Sequence, residues 1–314
     1  MTPALSVVFF TTASGAGYGL LALTGFLASC GLTPASPWFG LVAVGLALAL
    51  ASSGLVSSTL HLGHPERAWR AVRQWRSSWL SCEGLAALLT YPPALAFVAA
   101  WFLARRPDAV MAAFGVLAAA LAIATVFCTA MIYVSLRPVR QWRNVFVTPN
   151  FLLLASFSGA LWLAPVAQLF HAAAVLPSAL ALSFGAAALG VKLAYWRVID
   201  CGSGESTIET ATGLGRLGRV RALEAPHTEE NYLLREMGFR IARKYARRLR
   251  TIVVVLGFAL PLVLTAVAVA SPALPAVALA IVAATAALAG IFVERWLFFA
   301  EATHTVVLYY GRAA

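Results

Sequence analysis

A chain of 314 residues that is 61% hydrophobic and 11% charged, with a net charge of +11 and a mean hydropathy of +0.84, is not an ordinary soluble domain, where about 25% of residues are charged. Its apolar runs are long enough to cross a bilayer, which takes roughly 20 residues. They are continuous and Ala/Leu-rich, which excludes the alternating pattern of a membrane β-barrel.

In chain order the runs predict an all-α, polytopic bundle of eight membrane-spanning helices near 5–30, 38–60, 79–104, 109–136, 150–170, 174–197, 250–270 and 273–300, a single membrane domain with a loop over 198–249. The first run has no basic flank and no short apolar core with a cleavage pattern, so it reads as a retained helix and not a signal peptide. Pro34, Pro37, Pro107, Pro149, Pro177, Pro272 and Pro275 fall at or beside the joints, where a helix must break. Trp38, Trp79, Trp101, Trp142, Trp196 and Trp296 fall near predicted helix ends, as an interfacial aromatic belt would place them.

The connections are unequal in charge. Those after the second, fourth and sixth helices carry eighteen Lys and Arg, against two (Arg105 and Arg106) on the opposite side. The positive-inside rule makes the rich side cytoplasmic, and both termini with it. Topology thus accounts for the basic balance without nucleic acid.

Four scattered cysteines, Cys30, Cys82, Cys128 and Cys201, form no C-x-x-C pair, so an iron–sulfur cluster or a Cys-rich zinc site within this chain is not expected, nor is a disulfide. The five histidines include no obvious pair at membrane depth for a haem, although His61 and His304 fall at helix ends on the same side. No metal site is expected. The stretch GLGRLG, Gly213 to Gly218, fits G-x-G-x-x-G but sits inside the long loop. It lacks the strand and helix that a dinucleotide fingerprint requires.

Polar chemistry concentrates in HLGHPERAWRAVRQWRSSWLSCEG, His61 to Gly84. His61 ends the second span and Glu83 opens the third, and ionisable groups at membrane depth are costly enough to be functional candidates. His64 stands close by. The bland alternatives are that His61 caps its helix and Glu83 pairs with a loop arginine. In the last segment, Glu294, Glu301 and His304 are spaced by seven and three, on one face of a helix that would run past the span. A histidine and carboxylates at one membrane face, without a metal motif, suit a quinone: its ring oxygens take a donor, and a carboxylate relays its protons. Electrons would then come from a partner.

Arg67, Arg70, Arg73 and Arg76 recur at every third position. On an α-helix each step of three falls short of a full turn by roughly 60°, so they would fan over half its surface, toward lipid phosphates or an acidic protein. In the 6–7 loop, Thr228 could cap a helix with Glu229 and Glu230 in its first turn. Its polar face would carry Arg235, Arg240, Arg243, Lys244 and Arg247. Such a basic amphipathic helix would lie on anionic lipid or hold a partner.

Four motifs in order, HLGHPERAWRA…WRSSWLSCEG, CGSGESTIETATGLG, PHTEENYLLREMGFRIARKYARRLR and ERWLFFAEATHTVVLYYG, resemble the membrane-anchor subunits of dimethyl sulfoxide reductase-type molybdoenzymes, among them the anchor of cytoplasmic sulfite dehydrogenase. The resemblance spans essentially the whole chain. It implies a haem-free anchor in the bacterial inner membrane that exchanges electrons with ubiquinone or menaquinone. It also implies a four-cluster iron–sulfur subunit and a molybdopterin catalytic subunit on the cytoplasmic side. A histidine in H-L-G and a glutamate after W-L-S are linked to quinol binding in the family, and these correspond to His61 and Glu83. Relatives often place arginine before that glutamate, where this chain has Cys82. Cytoplasmic docking favours sulfite oxidation feeding quinone, with a menaquinol-oxidising reductase as the alternative. A transporter without redox function is the rival class. It would show internal repeats and helices interrupted near the midplane; the sequence shows no repeat, and its polar groups cluster at one edge and not at mid-membrane.

Overall fold

The computed structural model describes residues 3–60, 62–103, 108–171, 174–201, 207–221, 223–224, 241–270 and 275–310, without the side chains of 241–244 and 310. Eight helices are long and apolar enough to cross a membrane, and the described residues contain no strand, only an isolated bridge between Val139 and His304. The chain is a multi-pass, all-α membrane protein.

The first six spans are α1 (Leu5–Ser29), α2 (Pro37–Thr59), α3 (Trp79–Leu103), α4 (Ala109–Val134), α5 (Val147–Leu169) and α6 (Val175–Cys201). A short α7 (Ile208–Thr212) follows. The seventh span, Tyr245–Ala270, is built from α8 (Ile241–Ile252), a π-helical stretch Val253–Ala259 and α9 (Leu260–Ala270). The eighth is α10 (Ala276–Ala300). Every predicted span is present. The largest differences from the expected ends are a sixth helix that runs on to Cys201 and a seventh span that starts at Tyr245.

Burial sorts the helices. In α1 and α5, 72% and 67% of the apolar core window is buried, against 33–39% in the other six spans, so these two form the centre of the bundle. Small residues allow the approach: a Cβ on Gly19 would lie 1.8 Å from the Ala155 carbonyl oxygen, and one on Gly159 would lie 2.2 Å from the Gly19 backbone. In lipid, where apolar burial drives no association, such backbone-to-backbone packing holds helices together. The wide π turn has a local cause. Pro261 has no N–H to give the preceding turn, and Gly257 there packs against Gly290 of α10, where a Cβ on Gly290 would lie 2.2 Å from the Gly257 backbone.

The tryptophans divide. Trp38 and Trp79 are exposed at helix ends, as the belt expectation has it, whereas Trp101, Trp142 and Trp196 are buried inside the bundle. Trp142 donates to the Phe298 carbonyl at 2.9 Å and joins a ring cluster with Tyr133, Phe298 and Phe299. Gly213, at the start of GLGRLG, has φ 70° and ends α7, and Gly218 has φ 130°. These glycines serve backbone turns that a side chain would strain. All four cysteines are free thiols.

Candidate functional site

The connection between α2 and α3 folds as a 3-10 helix, Pro65–Gln74. This corrects the expected arginine fan. Three residues per turn eclipse positions i and i+3, so Arg67, Arg70 and Arg73 align in one exposed stripe, and Arg76 lies beyond the helix end. The guanidinium groups of Arg70 and Arg73 sit 5.6 and 5.1 Å from the Trp69 ring centroid, and that of Arg76 sits 5.0 Å from Trp75. Ser81 of α3 donates to the Ala71 carbonyl, and the Cys82 thiol donates to that of Trp75 at 2.8 Å. The arginine-rich segment is therefore tied down onto the start of α3.

Beneath it lies a cavity of about 430 Å³, within the range of small-molecule sites. Most of its wall is apolar, including Val7, Phe10, Leu55 and Ile132, and its polar groups include Glu83, His64, Arg67 and Tyr133. Glu83 stands on the first turns of α3, only 5% exposed, and accepts a hydrogen bond from the Thr129 hydroxyl of α4. A buried carboxyl whose protein partner is a hydroxyl, not a cation, can hold or release a proton. His64 is exposed at the rim, with Nδ1 3.0 Å from Glu66 Oε1. His61 lies outside the described residues, between Leu60, which follows α2, and Leu62, which lines the cavity.

Glu301 and His304 are not part of this cavity. The expected long final helix stops at Ala300 and is followed by a 3-10 turn, Thr305–Tyr310. Glu294, Glu301 and His304 therefore do not share a helical face. Glu301 caps α10 and binds Arg250, whose guanidinium also grips Asp200 at 2.5 and 2.9 Å. Burial raises the Glu301 carboxyl above its ordinary range, against the opposing pull of Arg250. His304 accepts the Val306 N–H on Nδ1 at 3.0 Å, and burial holds its imidazole below the usual 6.5. Glu301 fastens the end of α10 to Arg250 of α8, and the His304 backbone bridges to Val139.

The amphipathic helix expected after Thr228 falls largely outside the described residues, as does Arg240. Arg243 and Lys244 lie on α8, and their side chains are outside what is described.

Sequence reasoning passed over a second polar cluster. Lys192 of α6 donates to Glu294 of α10, both almost fully buried, and Arg295 beside them has its guanidinium 3.7 Å from the Phe151 ring centroid. The signal was available: Lys192 interrupts an apolar span, and ionisable residues there are rarely incidental.

These features define a polytopic membrane protein with a substantial apolar cavity under a cationic segment, lined by a buried carboxyl. The comparisons make this particular. Residues 1–311 match the model of the DMSO reductase anchor subunit (DmsC) family. The chain is 35% identical to a sulfite dehydrogenase subunit from Allochromatium vinosum over 329 aligned positions that cover the whole of both chains. This chain belongs to the DMSO reductase anchor subunit family. No solved structure matches it.

Proposed function

We propose that this chain anchors a molybdopterin and iron–sulfur oxidoreductase to the cytoplasmic membrane and exchanges its electrons with quinone. The observation that carries the reading is the cavity: its volume and apolar wall suit a lipid-soluble ring, and its buried Glu83 suits a molecule that exchanges protons. A quinone would supply a couple of two electrons and two protons. Glu83 holds or releases a proton at its carboxyl, and His61, next to Leu62 in the sequence, would supply a second polar group. The apolar wall keeps bulk water from the carboxyl, which directs its proton to the bound ring.

The excess of Lys and Arg on one face favours a cytoplasmic position for that face and for both termini. The iron–sulfur subunit and the catalytic subunit would dock there, with the Arg67–Arg70–Arg73 stripe as one contact. Sulfite oxidation is the favoured reaction, because the relative aligned over its full length is a sulfite dehydrogenase subunit. A menaquinol-oxidising reductase uses the same site in the opposite direction.

Glu83→Gln in the assembled complex tests this. The expected result is loss of quinone-coupled turnover with dye-coupled turnover of the catalytic part retained. Wild-type quinone-coupled turnover in Glu83→Gln would overturn the assignment.

A further inference from the structure

A second cavity reaches Thr129, the residue whose hydroxyl donates to Glu83. It is small, about 20 Å³, and is lined by Thr11, Thr12 and Ser14 of α1, Thr129 of α4, Ser158 of α5 and Arg295 of α10. A site of this size admits a single water, which needs two to four polar partners.

The hydrogen-bond inventory is one-sided in a useful way. Thr11, Thr12, Ser14 and Ser158 each spend their hydroxyl proton on a carbonyl of their own helix, at 2.6–3.2 Å. Each hydroxyl keeps only acceptor capacity for the cavity. Arg295, 2% exposed, supplies the donors: its Nε and Nη1 have no hydrogen-bond partner. Glu294 Oε2 lies 3.2 Å from that Nε without forming a hydrogen bond. Donors on one wall and spent hydroxyls on the other are matched by a water molecule, which accepts from Arg295 and donates to the hydroxyls.

Thr129 joins this site to Glu83. Its oxygen lies within reach of two acceptors, Glu83 Oε1 and the Thr125 carbonyl at 3.0 Å. One hydroxyl proton serves one of them fully at a time. When Glu83 is a carboxylic acid, it donates to Thr129 and Thr129 donates to Thr125. When Glu83 is a carboxylate, Thr129 turns its proton toward it. Groups that face Glu83 from other elements are His64 and Arg67 at the large cavity, Cys128 and Tyr133 of α4 and Tyr18 of α1. None of these is a buried cation; among the described residues, the buried cation across Thr129 is Arg295.

We propose that the small cavity is an internal water site, and that Arg295, this water and Thr129 together stabilise the negative charge Glu83 acquires when it gives its proton to the bound ring. One O–H bond breaks at Glu83 and one forms on the acceptor; Thr129 and Arg295 lose no proton and act as positioning residues. This rests on the quinone reading of the large cavity.

The test is Thr129→Val, which keeps the volume and removes the hydroxyl, in the intact membrane complex beside Glu83→Gln. The proposal expects quinone-coupled turnover to fall about tenfold or more, its pH profile to move to higher pH, and Thr129→Ser to restore both. It also expects infrared difference spectra to show a buried-water O–H band that shifts in water labelled with oxygen-18 and is lost in Arg295→Gln. Should Arg295→Gln fail to assemble, the same band is read in Thr129→Val, where it must be displaced. Wild-type behaviour of Thr129→Val, with Glu83→Gln inactive, would overturn the water site and leave the quinone site standing. Wild-type behaviour of Glu83→Gln would overturn both.

Discussion

Lys192 on α6 and Glu294 on α10 form an ion pair inside the apolar layer, each side chain at most 2% exposed, with Arg295 completing a cluster of three charges. Two charges taken out of water are held there only because they face each other. The Lys192 ammonium also sits 4.4 Å from the Tyr195 ring centroid and 5.4 Å from that of Trp196. Arg250 lies 5.3 Å from the same Trp196 ring, so this tryptophan separates the inner cluster from the Arg250–Asp200–Glu301 group at the bundle end.

Removing the one carboxylate of this cluster is expected to cost far more than removing one of its cations. Glu294→Gln leaves Lys192 and Arg295 buried together without a counter-charge and should destabilise the chain by about 3–5 kcal/mol. Lys192→Met leaves the Glu294–Arg295 pair in place and should cost clearly less. Thermal unfolding of the purified chain in detergent reads the difference, and equal losses would show that charge balance does not hold the cluster.

His61 is expected to matter for quinone and not for assembly. Replacement by a residue of similar size that cannot protonate should abolish quinone-coupled turnover while dye-coupled turnover survives. Equal loss of both would assign His61 a folding role.

The arginine stripe is expected to hold a partner by charge. Arg70→Glu with Arg73→Glu should release the iron–sulfur subunit during mild extraction, and the wild-type contact should weaken as salt rises. A complex that co-purifies unchanged would assign the stripe to lipid phosphates.

His304 is expected to make the end of α10 sensitive to acid. Its imidazole sits below 6.5 when folded and near 6.5 when unfolded, so the unfolded chain binds more protons in that interval. Stability is therefore complete above 6.5 and declines as pH falls through the lowered folded value. His304→Asn keeps an acceptor for the Val306 N–H and should remove that component. Melting curves recorded across this pH interval make the comparison, and parallel curves would rule the histidine out.

The spans were legible because continuous apolar length is a property of the sequence alone, and Glu83 was legible because a carboxylate at the head of such a run is costly. The 3-10 geometry of Pro65–Gln74 was not. An arginine period of three fits either helix type, and what favours the tighter coil is tethering by Ser81 and Cys82, contacts that are close in space but seven to ten residues apart. The grouping of Glu294, Glu301 and His304 failed for a related reason, since spacing places residues on one face only while the helix continues, and this one stops at Ala300. The internal water site joins hydroxyls from three helices with an arginine from a fourth, and no local pattern announces that. His61 lies outside the described residues.

The central position of α1 bears on how the chain is made. Of the eight spans, the one made earliest is the one most enclosed at the end, and its packing partner α5 is synthesised more than a hundred residues later. Until then the α1 surface that carries Thr11, Thr12 and Ser14 lacks this neighbour, and in lipid a polar group without a partner is penalised. Each already donates to a carbonyl one turn back, at Val7, Val8 and Phe10. The helix can therefore wait in the membrane with its hydroxyl protons engaged, and the surface that later lines the water site needs no chaperoning neighbour to survive insertion.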